Sequence, residues 1–114
     1  MDLLRSWMFV PGHRQKMIDK ALGLNADAVM LDIEDGVAPA EKETARKLIA
    51  ASLDRAQAAH GPGPRRGPVR YVRVNGVGHE RMRADFEHVI RPGLEGLVLT
   101  GATHRLLAVR DSSI

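Results

Sequence analysis

Leu31-Asp32-Ile33-Glu34-Asp35-Gly36-Val37-Ala38-Pro39-Ala40-Glu41-Lys42 places three carboxylates, Asp32, Glu34 and Asp35, at the point where an apolar run ends and a helical pattern begins. The run before it, residues 28–31, is short and unbroken, as expected of a strand buried on both faces. After it, Pro39 suits the first position of a helix, where a missing amide hydrogen costs nothing. Ala45, Leu48, Ile49, Ser52, Leu53 and Ala56 then recur at the spacing that lines one helical face. Strand, acidic loop, helix is therefore the reading at the centre of the chain.

The same layout recurs on both sides. Residues 7–10 form an apolar run that passes into Pro11-Gly12-His13-Arg14, and Met17, Ile18, Ala21 and Leu22 follow at helical spacing. Residues 69–74 run into Asn75-Gly76, and Met82, Phe86, Val89 and Ile90 mark a third helix that Pro92-Gly93 stops before a fourth strand at residues 94–99. His60-Gly-Pro-Gly-Pro-Arg-Arg-Gly-Pro68 cannot continue a helix and reads as a surface loop. The order βαβαβαβ predicts right-handed units, a parallel sheet and an α/β fold. Four strands do not close a barrel, for which roughly 250 residues are needed. Residues 1–99 read as one domain part, and residues 100–114 as a tail of different character.

Composition narrows the function. At 44% apolar and 27% charged residues, the chain of 114 residues suits one soluble domain. Trp7, Phe9, Tyr71 and Phe86 are the only aromatic residues, which leaves little surface for stacking bases. Cysteine is absent, so thiolate chemistry is excluded. No secretory leader and no apolar span of roughly 18 residues is visible, so a cytoplasmic location without a membrane partner is expected. Residues 1–59 carry 8 basic and 9 acidic side chains, whereas residues 60–114 carry 9 arginines and 5 acids. That bias either suits a polyanionic partner or is solvated surface; with no nucleic-acid-binding signature beside it, nucleic acid is not expected. Gly76-Val-Gly78-His-Glu-Arg81 opens like a dinucleotide fingerprint but has arginine where the third glycine must be. His13, His60, His79, His88 and His104 lack metal-ligand spacing and read as surface residues.

Three strand ends carry the candidate chemistry, since sites in parallel α/β proteins are built there. Asp32, Glu34 and Asp35 could bind a hard cation directly or through its waters, or Asp32 could cap the next element while the others stay solvated. Arg73 between two valines projects to the opposite face from them, where a bidentate carboxylate is its best partner. That carboxylate is either a ligand's or belongs to Glu34 or Asp35. Pro11-Gly12 with Arg14 closes the first strand and opens a helix, a place that favours an anion.

Arg5-Ser-Trp-Met-Phe-Val-Pro-Gly-His-Arg14, Leu31 to Lys42 and Arg73-Val-Asn-Gly76 together resemble the citrate lyase beta subunit-like branch of the HpcH/HpaI aldolase family. The resemblance runs from residue 5 to about residue 99. It implies a (β/α)8 TIM barrel of which this chain is the first half. It also implies a Mg²⁺-dependent carbon–carbon lyase acting on 3-hydroxyacyl-CoA substrates (malyl-, citramalyl- or citryl-thioesters), with a 2-oxo acid as product and a homo-oligomeric assembly. Under it, Arg73 holds the carboxylate of the 2-oxo acid, while Pro11, Gly12, Arg14 and Lys20 lie near coenzyme A. Asp32, Glu34 and Asp35 lie beside the metal ion rather than on it. In the family the direct metal carboxylates follow the fourth and fifth strands, so no direct metal ligand and no catalytic residue is assigned in this chain. Beyond Leu99 the family's Pro-Lys-Val-Glu pattern is replaced by Thr100-Gly-Ala-Thr-His-Arg-Leu-Leu-Ala-Val-Arg-Asp-Ser-Ser-Ile114. The expectation is a chain inactive alone, with Leu106, Leu107 and Val109 loosely covering the open edge of the fourth strand.

Overall fold

A computed structural model describes residues 7–23, 26–60, 67–75, 80–100 and 106–110. Strand β1 (Trp7–Pro11) leads to helix α1 (Gln15–Leu22) and strand β2 (Ala28–Asp32). A 3-10 turn (Pro39–Glu41) then runs directly into helix α2 (Lys42–His60), followed by β3 (Val69–Arg73), α3 (Met82–Val89), β4 (Gly96–Thr100) and β5 (Leu106–Arg110). The sheet order is β1-β2-β3-β4-β5. The first four strands are parallel, as the alternation of strand and helix predicts. The tail is a fifth strand, antiparallel to β4, with Leu97 opposite Val109 and Leu99 opposite Leu107. It therefore pairs the backbone edge that β4 would otherwise leave open.

Strand alternation divides the sheet into two faces. Val10, Val29, Leu31, Val72 and Val74 face the helices and pack, fully buried, against Ile18, Ile49, Leu53, Val89 and Leu94. The β2 residues are buried on both faces, which is why residues 28–31 read as an unbroken apolar run. Among the described residues the second face carries no helix, and it holds Ala28, Met30, Val69, Tyr71 and Val98. Trp7 and Tyr71 meet there with ring centroids 5.0 Å apart. Phe9, in register with Met30, remains 60% exposed on that side.

Two periodicity assignments fail at the helix ends. Met17 and Ile90 are exposed, while Asp85 in α3 is fully buried. Ile90 already lies in extended backbone beyond the last helical turn, so it no longer follows the helical stripe. His13 is half-buried rather than a surface residue, and His88 bonds to the Ala84 carbonyl one turn earlier. The side chains of His60, His79 and His104, and the segments 61–66 and 76–79, lie outside the described residues. Among the described residues, no helix is long and apolar enough to cross a membrane.

Candidate active site

Register builds the site. Pro11 pairs with Asp32, Asp32 with Arg73 and Arg73 with Val98, so the last residue of β2 and the last of β3 stand side by side on the face without helices. Arg73 donates from Nε to Asp32 Oδ1 at 2.9 Å and from a terminal nitrogen to Asp32 Oδ2 at 2.7 Å. The same two oxygens accept the main-chain amides of Glu34 at 2.8 Å and Gly36 at 2.7 Å. Of the two alternatives for Asp32, the structure shows the cap on the loop after β2, and it adds the clamp on the arginine. A Cβ on Gly36 would stand 2.5 Å from Asp32 Oδ2, so the loop closes on the carboxylate only because residue 36 has no side chain.

The remaining strand ends converge on the same side. Gly12 donates to the Asp32 carbonyl at 2.8 Å, and a Cβ there would meet that carbonyl at 2.6 Å and Ile49 Cδ1 at 2.5 Å. Asp32 is the hydrogen-bonded partner of Arg73, and the expected ion pair with Glu34 is present beside it at 3.6 Å from Nε to Oε1, while Asp35 is exposed. Arg14 is exposed just ahead of α1 and Lys20 is exposed in its last turn, at the far end of that helix from Pro11 and Gly12. The structure therefore unites Arg73, Asp32 and Glu34, and keeps Lys20 apart from them.

Electrostatics follow the contacts. Burial would raise the Asp32 carboxyl, but the bonds from Arg73, Glu34 and Gly36 outweigh it and hold the group below the usual range. Asp32's hydrogen bond, against the cost of burial, likewise raises Arg73. Glu34 moves the other way, raised by burial and by its hydrogen bond and like charge with Asp35.

Two groups that sequence reasoning passed over complete the picture. Lys42, first in α2, donates from Nζ to the Ile33 carbonyl at 2.6 Å and the Glu34 carbonyl at 2.8 Å; burial lowers its pKa. Asp85 accepts Arg46 Nε at 2.7 Å, the Asn75 amide at 2.8 Å and Asn75 Nδ2 at 2.6 Å. It ties α2 and α3 to the chain two residues beyond Arg73. A lysine at a helix start, against the dipole, and an acid on the apolar stripe of α3 were the available signals.

Glu34, Asp35, Lys42, Asn75 and Arg81 line a cavity of about 330 Å³ beside this rung. A larger one of about 410 Å³, bordered by Asp19, Ser52, Arg55 and Arg70, lies away from the strand ends. Asp32 has both oxygens filled by donors and is not open to a cation. Glu34 and Asp35 are the carboxylates that line the cavity, and the described residues hold no group of three or more His, Asp or Glu able to bind a metal ion.

A guanidinium clamped by a carboxylate at parallel strand ends makes this an α/β protein with paired charges gathered at its strand ends. The profile of the HpcH/HpaI aldolase/citrate lyase family matches residues 5–102. A (3S)-malyl-CoA thioesterase of Cereibacter sphaeroides is 42% identical over 83 residues, 73% of this chain and 27% of the relative. Citrate lyase subunit beta of Escherichia coli is 36% identical over 91 residues, 80% and 28% of the two chains. Among solved structures, protein CitE of Mycobacterium tuberculosis with magnesium and acetate superposes with a TM-score of 0.64 at 30% identity, covering 84% of this chain and 36% of that one. The same organism's citrate lyase beta subunit with oxaloacetate and magnesium gives 0.59 at 30% identity, covering 82% and 36%. The chain belongs to the HpcH/HpaI aldolase/citrate lyase family and spans less than a third of the length of these curated relatives.

Proposed function

We propose that these residues form the N-terminal part of a Mg²⁺-dependent carbon–carbon lyase site of the citrate lyase beta type, in which Arg73 holds the carboxylate of a 2-oxo acid or of its 3-hydroxyacyl-CoA precursor. The observation that carries this reading is the last rung of the sheet. Asp32 occupies Nε and one terminal nitrogen of Arg73, which fixes the guanidinium and leaves its other N–H bonds for a ligand carboxylate. Glu34, its carboxyl raised by burial and by Asp35 against the pull of Arg73, stands 3.6 Å from that guanidinium and would border the bound ligand. In the cleavage, the 3-hydroxyl loses its proton and becomes the carbonyl of the 2-oxo acid. The carbon–carbon bond breaks, and its electron pair passes to the thioester enolate, which is then protonated.

A bound magnesium ion would stabilise oxyanion charge, as its presence in the relatives' structures suggests. Its direct ligands would come from beyond residue 99, and a small-molecule CoA thioester would be the partner. Residues 1–99 would be the barrel part and residues 100–114 a tail. Phe9 and Trp7, exposed on the helix-free face, would be covered in a completed barrel, within a homo-oligomer in the cytoplasm. Pro11, Gly12 and Arg14 would face the CoA end, with Lys20 further along α1.

The likeness to a (3S)-malyl-CoA thioesterase of Cereibacter favours a second reading, thioester hydrolysis. One assay separates the two. The 114-residue chain and a fusion joining it at Leu99 to the remaining strands of a citrate lyase beta subunit are given malyl-CoA and Mg²⁺. The short chain is expected to be inert. The fusion is expected to release glyoxylate and acetyl-CoA, and Arg73→Ala to lower that rate on the order of a hundredfold, as lost positioning does. Malate and free CoA as products would favour hydrolysis. An active fusion indifferent to Arg73→Ala, or chelator-sensitive turnover by the short chain, would overturn the assignment.

A further inference from the structure

Lys42 is a buried cation with no carboxylate at ion-pair distance among the described residues, although Asp85, Asp32 and Glu34 attract it from further off. Its residue is 7% exposed, and its two bonds go to neutral carbonyls, those of Ile33 and Glu34. Each nearby carboxylate is engaged elsewhere. Asp32 is filled by Arg73 and two amides, and the Glu34 side chain turns toward Arg73 while its carbonyl faces Lys42. Asp85 is taken by Arg46 and Asn75. Lys42 also stands at the first residue of a 19-residue helix, where the dipole opposes a positive charge. A buried ammonium in such surroundings is costly unless an anion completes it, and an ammonium has a further N–H to offer.

We infer that Lys42 is an anion-binding residue, its third N–H bond receiving a small oxyanion in the cavity of about 330 Å³ that it lines with Glu34, Asp35, Asn75 and Arg81. This subsite is separate from the one proposed at Arg73: Lys42 reaches the loop after β2 from α2, whereas Arg73 is held on the sheet by Asp32. It requires no metal ion and does not rest on the lyase reading. The shared chemistry is an oxyanion of carboxylate or phosphate type.

The test uses the whole 114-residue chain, ¹⁵N-labelled and without Mg²⁺, titrated in separate arms with pyruvate, acetate and inorganic phosphate, with chloride as the ionic-strength control. Saturable amide shifts at Glu34, Asp35, Val37, Lys42 and Asn75 are expected in at least one oxyanion arm and not with chloride. Response to the carboxylates or to phosphate identifies the source. Lys42→Met should weaken that binding on the order of tenfold or more, the loss of one charge-assisted hydrogen bond. Should Lys42→Met not fold, the shift map of the unaltered chain decides. Shifts confined to Gly12–Gln15, no saturable shift in any arm, or a folded Lys42→Met that binds as the parent does would each overturn the inference. Because no turnover and no metal is involved, such a failure leaves the lyase assignment to its own assay.

Discussion

Replacing Asp32 with asparagine removes one charge and turns an acceptor into a donor where two donors already point. The Oδ1 side keeps the Glu34 amide and Arg73 Nε, but the new amide nitrogen faces the Gly36 amide, 2.7 Å from Oδ2, and the Arg73 terminal nitrogen, also at 2.7 Å. Breaking a buried charge pair costs about 3–5 kcal/mol, and a hydrogen bond to a charged group about 1.5–3 kcal/mol. The Arg73 side chain keeps 22% of its surface in water, so the lower end applies, about 3 kcal/mol. Against a total stability of about 5–15 kcal/mol that is a large loss. At an unfolding entropy of about 2.1 cal/mol/K per residue it lowers Tm by about 12 °C. Thermal and urea unfolding of both proteins at pH 7 measure it. The acid limb gives an independent check. Because the folded carboxyl lies below its ordinary value, Asp32's contribution is complete above the unfolded value of about 3.9 and is lost as pH falls through the folded one. The gap between parent and Asp32→Asn should therefore be widest above about pH 5 and close in acid. A loss under about 1 kcal/mol, or a gap independent of pH, would refute the clamp.

Two further outcomes test the scaffold. Gly12→Ala puts a methyl 2.6 Å from the Asp32 carbonyl and 2.5 Å from Ile49 Cδ1; the side chain can yield but the backbone cannot, so a loss of about 1–3 kcal/mol is expected, read by urea unfolding with hydrogen exchange at the Gly12 amide. Asp85→Ala leaves Arg46 with Glu43 alone and strands both Asn75 donors, so it should cost about 3 kcal/mol, with hydrogen exchange at the Asn75 amide accelerated beyond the global change; unaltered protection there would contradict the tie.

Element order was legible because apolar period reports which face of a local segment avoids water, and that is decided within a few residues. Residues 28–31 announced a strand covered on both sides, the stripe from Ala45 to Ala56 announced α2, and the clustering of polar groups after the apolar runs placed a site at the strand ends. Periodicity misplaced Met17 and Ile90, which lie exposed near helix termini. Whether Arg73 would meet Asp32, Glu34 or Asp35 was not decided locally. The answer depends on the register of β2 against β3, which is set by backbone bonds between residues 41 positions apart and puts Asp32 opposite Arg73. A shift of one residue would have turned the arginine to the other face. The buried Asp85 with Arg46, 39 positions away, and the buried ammonium of Lys42 were likewise tertiary outcomes. A charge's partners are fixed by which segments pack around it, whereas a residue's tendency to leave water is carried by the residue itself.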